Sequence, residues 1–390
     1  MLYRELGKTK EKVSVLGLGT MRLPTINSNG NIDKKKASEI LSYGIDNGIN
    51  LIDTAYTYHA DEFSDEIGNC EPFLGEFLST GYREKILLST KSPSWLIKNK
   101  EDFDFYLNDQ LKRLQTDNLD IYLLHTLTKE HWENLKSCGV FEFMDRILEE
   151  GIVKHIGFSS HTEFDILIDI LDSYDKWEVA MTQMNFIDEN YQSGLDGLKY
   201  LNDINVGNII MEPLRGGRLV QNIPDKIMNI WNTADVKRTP VEWALDYLWD
   251  MEAVDCVLSG MTSLEQLKAN IEIANNSKIN SISSHDKEVI KEVAREYNSG
   301  KGNDCTQCMY CMPCPEGVNI PQCFKEYNIA TMFNNPSASA MQYFSLINED
   351  ERAENCTKCN KCLQHCPQII NIPEELEKVQ KLFGNEFNHY

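Results

Sequence analysis

Two cysteine runs near the end of the chain have the spacing of metal ligands: CTQCMYCMPCP at 305–315 and CTKCNKCLQHCP at 356–367. Nine of the twelve cysteines lie between Cys305 and Cys366. The second run reads C-x2-C-x2-C-x3-C-P, the bacterial iron–sulfur pattern, in which three thiolates on one tight loop serve one cluster and the fourth serves its partner. The first run follows the same plan with two residues before its last cysteine. One [4Fe-4S] cluster is therefore expected on Cys305, Cys308, Cys311 and Cys366, and a second on Cys356, Cys359, Cys362 and Cys314. The shortened first run and the leftover Cys323 leave other pairings open. A pair of structural zinc sites is the competing reading, because CxxC pairs also suit tetrahedral zinc. Clusters of this kind pass one electron at a time, so the spacing points to an electron wire.

A second group of residues has side chains that move protons. IDTAYTYH, LLSTK and IYLLH close three successive apolar runs and place Asp53, Tyr58, Lys91 and His125 at their ends. Each residue alone has an ordinary explanation: a turn cap, a core-edge aromatic, a solvated strand end, a satisfied histidine. Four at matching strand ends form a pattern.

These residues need elements to position them. Eight short apolar, β-branched runs recur at Val13–Gly19, Asn50–Ala55, Lys85–Lys91, Leu119–His125, His155–Ser160, Val179–Asn185, Asn208–Leu214 and Cys256–Met261. Helical periodicity lies between them, with start signals at Asp33 and at Thr239-Pro240, proline being suited to a first helical position. Nearly all-apolar strands alternating with helices imply parallel pairing, buried on both faces. Eight such units in under 300 residues predict a closed (β/α)8 barrel, whose chemistry sits at the C-terminal ends of its strands. After a helix placed at Ser284–Tyr297, NSGKGND reads as a linker. Two domains are expected: a barrel over 1–298, and a small, mostly helical two-cluster ferredoxin-like domain over 299–390. GVNIPQCFKEYNIATMF and IINIPEELEKVQKLF supply the helices of the latter.

The formal net charge of −22 excludes nucleic acid and an anionic membrane surface as partners, since both would repel it. The other three cysteines, Cys70, Cys138 and Cys256, are scattered, which speaks for a reducing compartment. No basic-apolar signal opens the chain and no run of eighteen apolar residues occurs, so a cytoplasmic location and no membrane partner are expected.

On these residues the chain resembles the aldo-keto reductase superfamily, in its branch with a C-terminal 4Fe-4S ferredoxin-type domain. The motif D-T-A-x-x-Y stands at Asp53–Tyr58, the family's lysine is Lys91 and its histidine is His125. YRELGKTKEKVSVLGLGTMRLP, IGFSSH, EPLRGGRL and SGMTSLEQLKANI extend the likeness over essentially the whole chain. The resemblance implies an NAD(P)H-linked oxidoreductase acting on a small carbonyl or alcohol. Tyr58 would be the general acid, with Lys91 lowering its pKa, Asp53 orienting Lys91 and His125 positioning the substrate carbonyl. No G-x-G-x-x-G joins a strand to a helix, so the nucleotide is expected across the barrel rim rather than on a Rossmann domain. Its phosphates would lie by Gly216, Gly217, Ser259, Gly260 and Thr262, and its nicotinamide amide by Ser159 and Gln183.

Several positions depart from the family pattern. Ser160 replaces a common asparagine, Met211 beside Glu212 replaces the stacking aromatic, and the basic pair for a 2′-phosphate aligns with Gly260 and Gln266. NADH is therefore expected to be preferred, or nicotinamide binding to be weak. A nicotinamide moves two electrons and a 4Fe-4S cluster one, so a bound flavin, which no motif announces, is a third cofactor to consider. The competing functional class is an electron-transfer and docking protein with a redox protein partner, in which the tetrad of Asp53, Tyr58, Lys91 and His125 is not used for carbonyl reduction.

Overall fold

The computed structural model describes every residue except 27–30, 61–66, 306, 308, 367 and 388–390, and residues 385–387 in backbone alone. A short antiparallel pair, β1 (Tyr3–Glu5) and β2 (Lys12–Ser14), comes first. Eight strands follow: β3 (Leu16–Gly19), β4 (Leu51–Asp53), β5 (Leu87–Ser92), β6 (Leu119–Leu127), β7 (Val153–Ser160), β8 (Val179–Gln183), β9 (Gly207–Met211) and β10 (Cys256–Ser259). Each pairs in parallel with its neighbours, and β10 joins both β9 and β3, which closes a (β/α)8 barrel. All eight apolar runs are strands of this barrel. β4, β5 and β8 are buried along their whole length, which is why their sequences lack polar alternation.

The expected helix starts act as caps. The Asp33 side chain accepts from the Lys36 N–H ahead of helix Lys34–Asp46, and Thr239 and Glu242 form a reciprocal capping box ahead of helix Pro240–Trp249. The N-terminal hairpin closes one end of the barrel. Leu6 and Val13 pack with Leu51, Leu87, Val179, Ile209 and Cys256 in one apolar cluster. The turn at Gly7 has φ +45°, and a Cβ there would stand 2.3 Å from the backbone nitrogen of Gly207, so only glycine suits both conformation and space.

The chain divides into two compact units, Met1–Leu219 with Arg238–Ser283, and Val220–Lys237 with Ser284–Tyr390. The second unit holds helices Asp225–Trp231, Ser284–Ser299, Ile320–Met332, Pro336–Leu346 and Ile372–Phe387, and no strand among its described residues. Its core is built from Val318, Ile320, Phe324, Tyr343, Val379 and Phe383. Both cysteine-flanking segments read as helical are helices. Helix Ser284–Ser299, which the sequence reading includes in the 1–298 barrel, groups with this unit. Its apolar face of Val289, Ile290, Val293 and Tyr297 is buried, and the Tyr297 ring lies 5.3 Å from that of Phe333.

Candidate active site and cluster cavities

At the C-terminal rim the four strand-end residues converge. Register pairs Asp53 with Ser89, two residues before Lys91. The Lys91 ammonium donates to Asp53 Oδ2 at 2.6 Å, to the Thr54 carbonyl at 2.8 Å and to Tyr58 Oη at 3.1 Å. Ser89 Oγ donates to the other Asp53 oxygen at 2.9 Å, so the carboxylate is held from both sides. Lys91 and Asp53 are 1% and 2% exposed, a depth at which a lysine persists only with partners. Burial by itself would lower the Lys91 pKa, but the Asp53 charge and the Tyr58 oxygen raise it above the ordinary lysine value, so it is a cation.

Two electrostatic directions bear on the chemistry. Burial raises the Tyr58 phenol above its ordinary value, with Lys91 pulling the other way and losing. The sequence reading expects Lys91 to lower it, and Lys91 does act in that direction, but desolvation of a phenolate at this depth outweighs one cation already shared with Asp53, so the net shift is upward. His125 is held well below the usual histidine value, first by burial and then by the Lys91 charge, so its imidazole is neutral. β6 shifts register between Leu124 and Leu127, and Thr126 within the irregularity has φ +51°. That bulge follows His125 directly, as bulges next to active sites commonly do. The His125 ring lies edge-on to Tyr58 at 6.0 Å and beside Trp95 at 5.2 Å, and its Nδ1 is buried without a hydrogen-bond partner among the described residues.

Behind β5 lies a network that sequence reasoning missed. Glu71, fully buried, accepts from Thr90 Oγ1 at 2.7 Å, Gln110 Nε2 at 2.8 Å and Arg113 Nε at 2.9 Å. Gln110 also donates to the Lys91 carbonyl at 3.0 Å and accepts from Tyr122 Oη at 2.9 Å. These residues fix the backbone that carries Lys91. Their sequence signal is slight: Glu71 is one of two glutamates, with Glu76, in the largely apolar helix Cys70–Leu78. Trp95, an aromatic four residues beyond Lys91, is likewise absent from the sequence reading.

The expected nucleotide contacts sit at the rim with partners inside the protein. Ser159 Oγ accepts from the Thr126 N–H at 2.8 Å, Gln183 Nε2 donates to Asp188 at 2.9 Å, and Ser259 Oγ accepts from Asn270 at 3.2 Å. The Thr262 N–H and hydroxyl both meet the Gln266 side-chain oxygen, at 2.9 and 3.1 Å. Gly216 and Gly217 have φ +66° and +92°. Among the departing positions, the Ser160 and Thr162 hydroxyls pair at 2.6 Å, and Met211 packs against the barrel cluster.

In the helical unit, seven of the described cysteines divide between two hollows. Cys305, Cys311 and Cys366 line one with Ile320, Phe324 and Ile372. Cys314, Cys356, Cys359 and Cys362 line the other with Pro373 and Leu376. Cys308 lies outside the described residues. Cys323 lines neither; it is fully buried in the unit's core, and burial pushes its thiol up to about 12. Soft thiolates facing an apolar hollow, three described ones in the first and four in the second, are a donor set that suits an iron–sulfur cluster.

A closed parallel barrel with a buried lysine–aspartate pair touching a tyrosine at its rim is the frame of a barrel oxidoreductase. Residues 15–287 match the model of the aldo/keto reductase family, and the chain belongs to that family. Residues 304–370 match the 4Fe-4S dicluster domain, so the cofactor of this region is of the iron–sulfur type and the zinc reading falls away. Protein tas of Escherichia coli K12 is 25% identical over 325 residues, spanning 70% of this chain and 92% of that protein. An uncharacterized oxidoreductase of Bacillus subtilis, YqkF, is 26% identical over 334 residues, 76% of this chain and all of that protein. Among solved structures, the holo form of aldo-keto reductase AKR11C1 from Bacillus halodurans superposes with a TM-score of 0.63 at 25% identity, covering 75% of this chain and 96% of that one. Among the described residues no helix is long and apolar enough to cross a membrane.

Proposed function

We propose that the barrel interconverts a small carbonyl compound and its alcohol with NAD(H), Tyr58 moving the proton, in a protein that also carries two [4Fe-4S] clusters. The observation that carries the reading is the buried Lys91 ammonium, 2.6 Å from Asp53 and 3.1 Å from the Tyr58 oxygen. When bound, the nicotinamide supplies or takes the hydride and the clusters supply one-electron transfer. In the reducing direction Tyr58, held protonated by burial, gives its proton to the substrate oxygen, and the phenolate left behind is stabilised by Lys91. Lys91 keeps its own proton because Asp53 holds its charge. The neutral His125 offers a hydrogen bond to the substrate oxygen without competing as an acid. Trp95 walls the same space beside His125.

Ser159 and Gln183 would meet the nicotinamide amide, and Gly216, Gly217, Ser259, Gly260 and Thr262 the phosphates. Gly260 and Gln266 offer no cation to a 2′-phosphate, which favours NADH over NADPH. Cys305, Cys308, Cys311 and Cys366 would hold one cluster and Cys356, Cys359, Cys362 and Cys314 the other; the sorting of the seven described sulfurs into two cavities supports this exchange of fourth ligands. Electrons leaving or reaching the clusters would be exchanged with a redox protein partner. Neither matched family model names a flavin, and the proposal includes none. The test is Tyr58→Phe assayed for NADH-dependent carbonyl reduction with iron content checked. Loss of reduction with both clusters retained is expected; undiminished reduction sinks the tetrad mechanism and leaves the electron-transfer reading.

A further inference from the structure

We infer that Glu71 is a positioning residue of the active site, tying the segment that carries Tyr58 to the strand that carries Lys91 and so setting the separation of phenol and ammonium; this rests on the reading of Tyr58 as the proton carrier. Tyr58 stands beyond the end of β4, so the barrel ladder does not hold its backbone. The chain returning at Gly68–Cys70 does. The Tyr56 carbonyl accepts from the Gly68 N–H at 2.9 Å, and the Tyr58 carbonyl from the Cys70 N–H at 3.1 Å. A Cβ added at Gly68 would stand 2.0 Å from the Tyr58 carbonyl oxygen, so the two backbones touch.

Two branches run from Glu71 into the site. In the first, Arg113 Nε donates to Glu71 Oε2 at 2.9 Å while Nη2 donates to the Gly68 carbonyl, and the guanidinium lies 5.1 Å over the Tyr56 ring. In the second, Glu71 Oε1 accepts from the hydroxyl of Thr90, the neighbour of Lys91, and from Gln110, which also donates to the Lys91 carbonyl. The first branch ends on the backbone against Tyr58, the second on the backbone of Lys91, and Glu71 joins them. Helices Cys70–Leu78 and Lys100–Leu114 approach closely enough for this because Gly75, one turn on from Glu71, has no side chain: a Cβ there would lie 2.5 Å from the Arg113 carbonyl oxygen. A carboxylate at 0% exposure is a poor way merely to pack two helices on a strand, since apolar residues of similar volume commonly give equal or greater stability. Apolar packing cannot, however, hold two backbone carbonyls in fixed directions, as the bonds from Arg113 and Gln110 do. Direction matters here, because a misplacement of about 1 Å at reacting groups can cost about 10²-fold in rate.

The test is reduction of benzaldehyde by NADH in the anaerobic holoprotein, with rates expressed per NADH-binding site so that unfolded protein does not count. Glu71→Gln, nearly isosteric but uncharged, is expected to lower kcat and kcat/KM together by about tenfold or more, with KM changed by less than about twofold. Arg113→Lys keeps a charge for Glu71 but loses the bond to Gly68, and the same losses are expected; should Glu71→Gln not fold, this variant carries the test by itself. In both, the fall-off of reduction at high pH is expected to move upward, because a loosened Lys91 lowers the phenol less. The titratable groups facing that phenol, Lys91, Asp53, His125 and Cys70, are unchanged in these variants. In the Tyr58→Phe background Glu71→Gln is expected to cost nothing further, since its effect passes through Tyr58, whereas a purely structural loss would add. Unchanged rate per site and pH profile in both single variants, or full additivity with Tyr58→Phe, overturns the positioning role while the proton-carrier reading stands. Undiminished reduction in Tyr58→Phe overturns that reading, and the inference with it.

Discussion

Tyr58 and His125 have protonation states set more by depth than by neighbours, whereas Lys91 keeps its charge through its neighbours against depth, and this makes their roles testable. A raised phenol stays protonated through neutral pH, so the reductive kcat/KM is expected to hold level into the alkaline range and to fall only above about pH 10, the ordinary phenol value. A limb near pH 6.5 would instead mean that His125 is charging, contrary to its lowered pKa. Tyr58→Phe is expected to lose about 10²- to 10⁴-fold in reduction rate, the usual weight of a positioned general acid. Lys91→Met removes one member of a buried pair and leaves Asp53 uncompensated. It is expected to cost about 3–5 kcal/mol in urea unfolding, with much of that recovered when Asp53→Asn is added. Equal stability in single and double variants would show that the pair is not held as ions.

At the scale of elements, the cluster loops and the helices around them divide the labour. The four described cysteines of the second cavity come from two segments, Cys314 from the first run and Cys356, Cys359 and Cys362 from the second. Cys314→Ser is therefore expected to disturb the cluster of the second run, seen by electron paramagnetic resonance of the reduced protein, and Cys366→Ser that of the first. The reverse pattern would show that each run keeps its own four ligands. Cys323→Ser is expected to leave iron content unchanged, since that thiol is buried in the core beside Phe324 and lines neither cavity. The barrel has its own test element. Gly7→Ala puts a methyl into the Gly207 backbone at φ +45°, and a marked fall in the thermal midpoint is expected, whereas Gly81→Ala has open space and only the φ penalty to bear.

For the whole molecule the question is whether the barrel and the clusters exchange electrons. Stepwise addition of NADH, then of NADPH, to anaerobically purified protein is followed in the visible band of the clusters; bleaching by either shows that hydride electrons reach the clusters and calls for a bound mediator that splits the pair. A band that dithionite bleaches and neither nucleotide does would favour the electron-transfer and docking function and turn the search from carbonyl substrates to protein partners. Three features were legible in the chain because they are local: eight apolar runs of strand length, cysteines spaced along single loops, and proton-moving residues at strand ends. Parallel strands bring such ends to one rim whatever the loops do, so the convergence of Asp53, Tyr58, Lys91 and His125 followed from pattern alone. Other features depend on residues far apart in sequence. The Glu71–Gln110–Arg113 network behind Lys91 and the grouping of helix Ser284–Ser299 with the cluster unit exist only after closure and packing. The direction of the Tyr58 pKa belongs with them: its neighbours can be guessed from a strand-end motif, but desolvation is a property of everything packed around the phenol, and only the tertiary structure decides it.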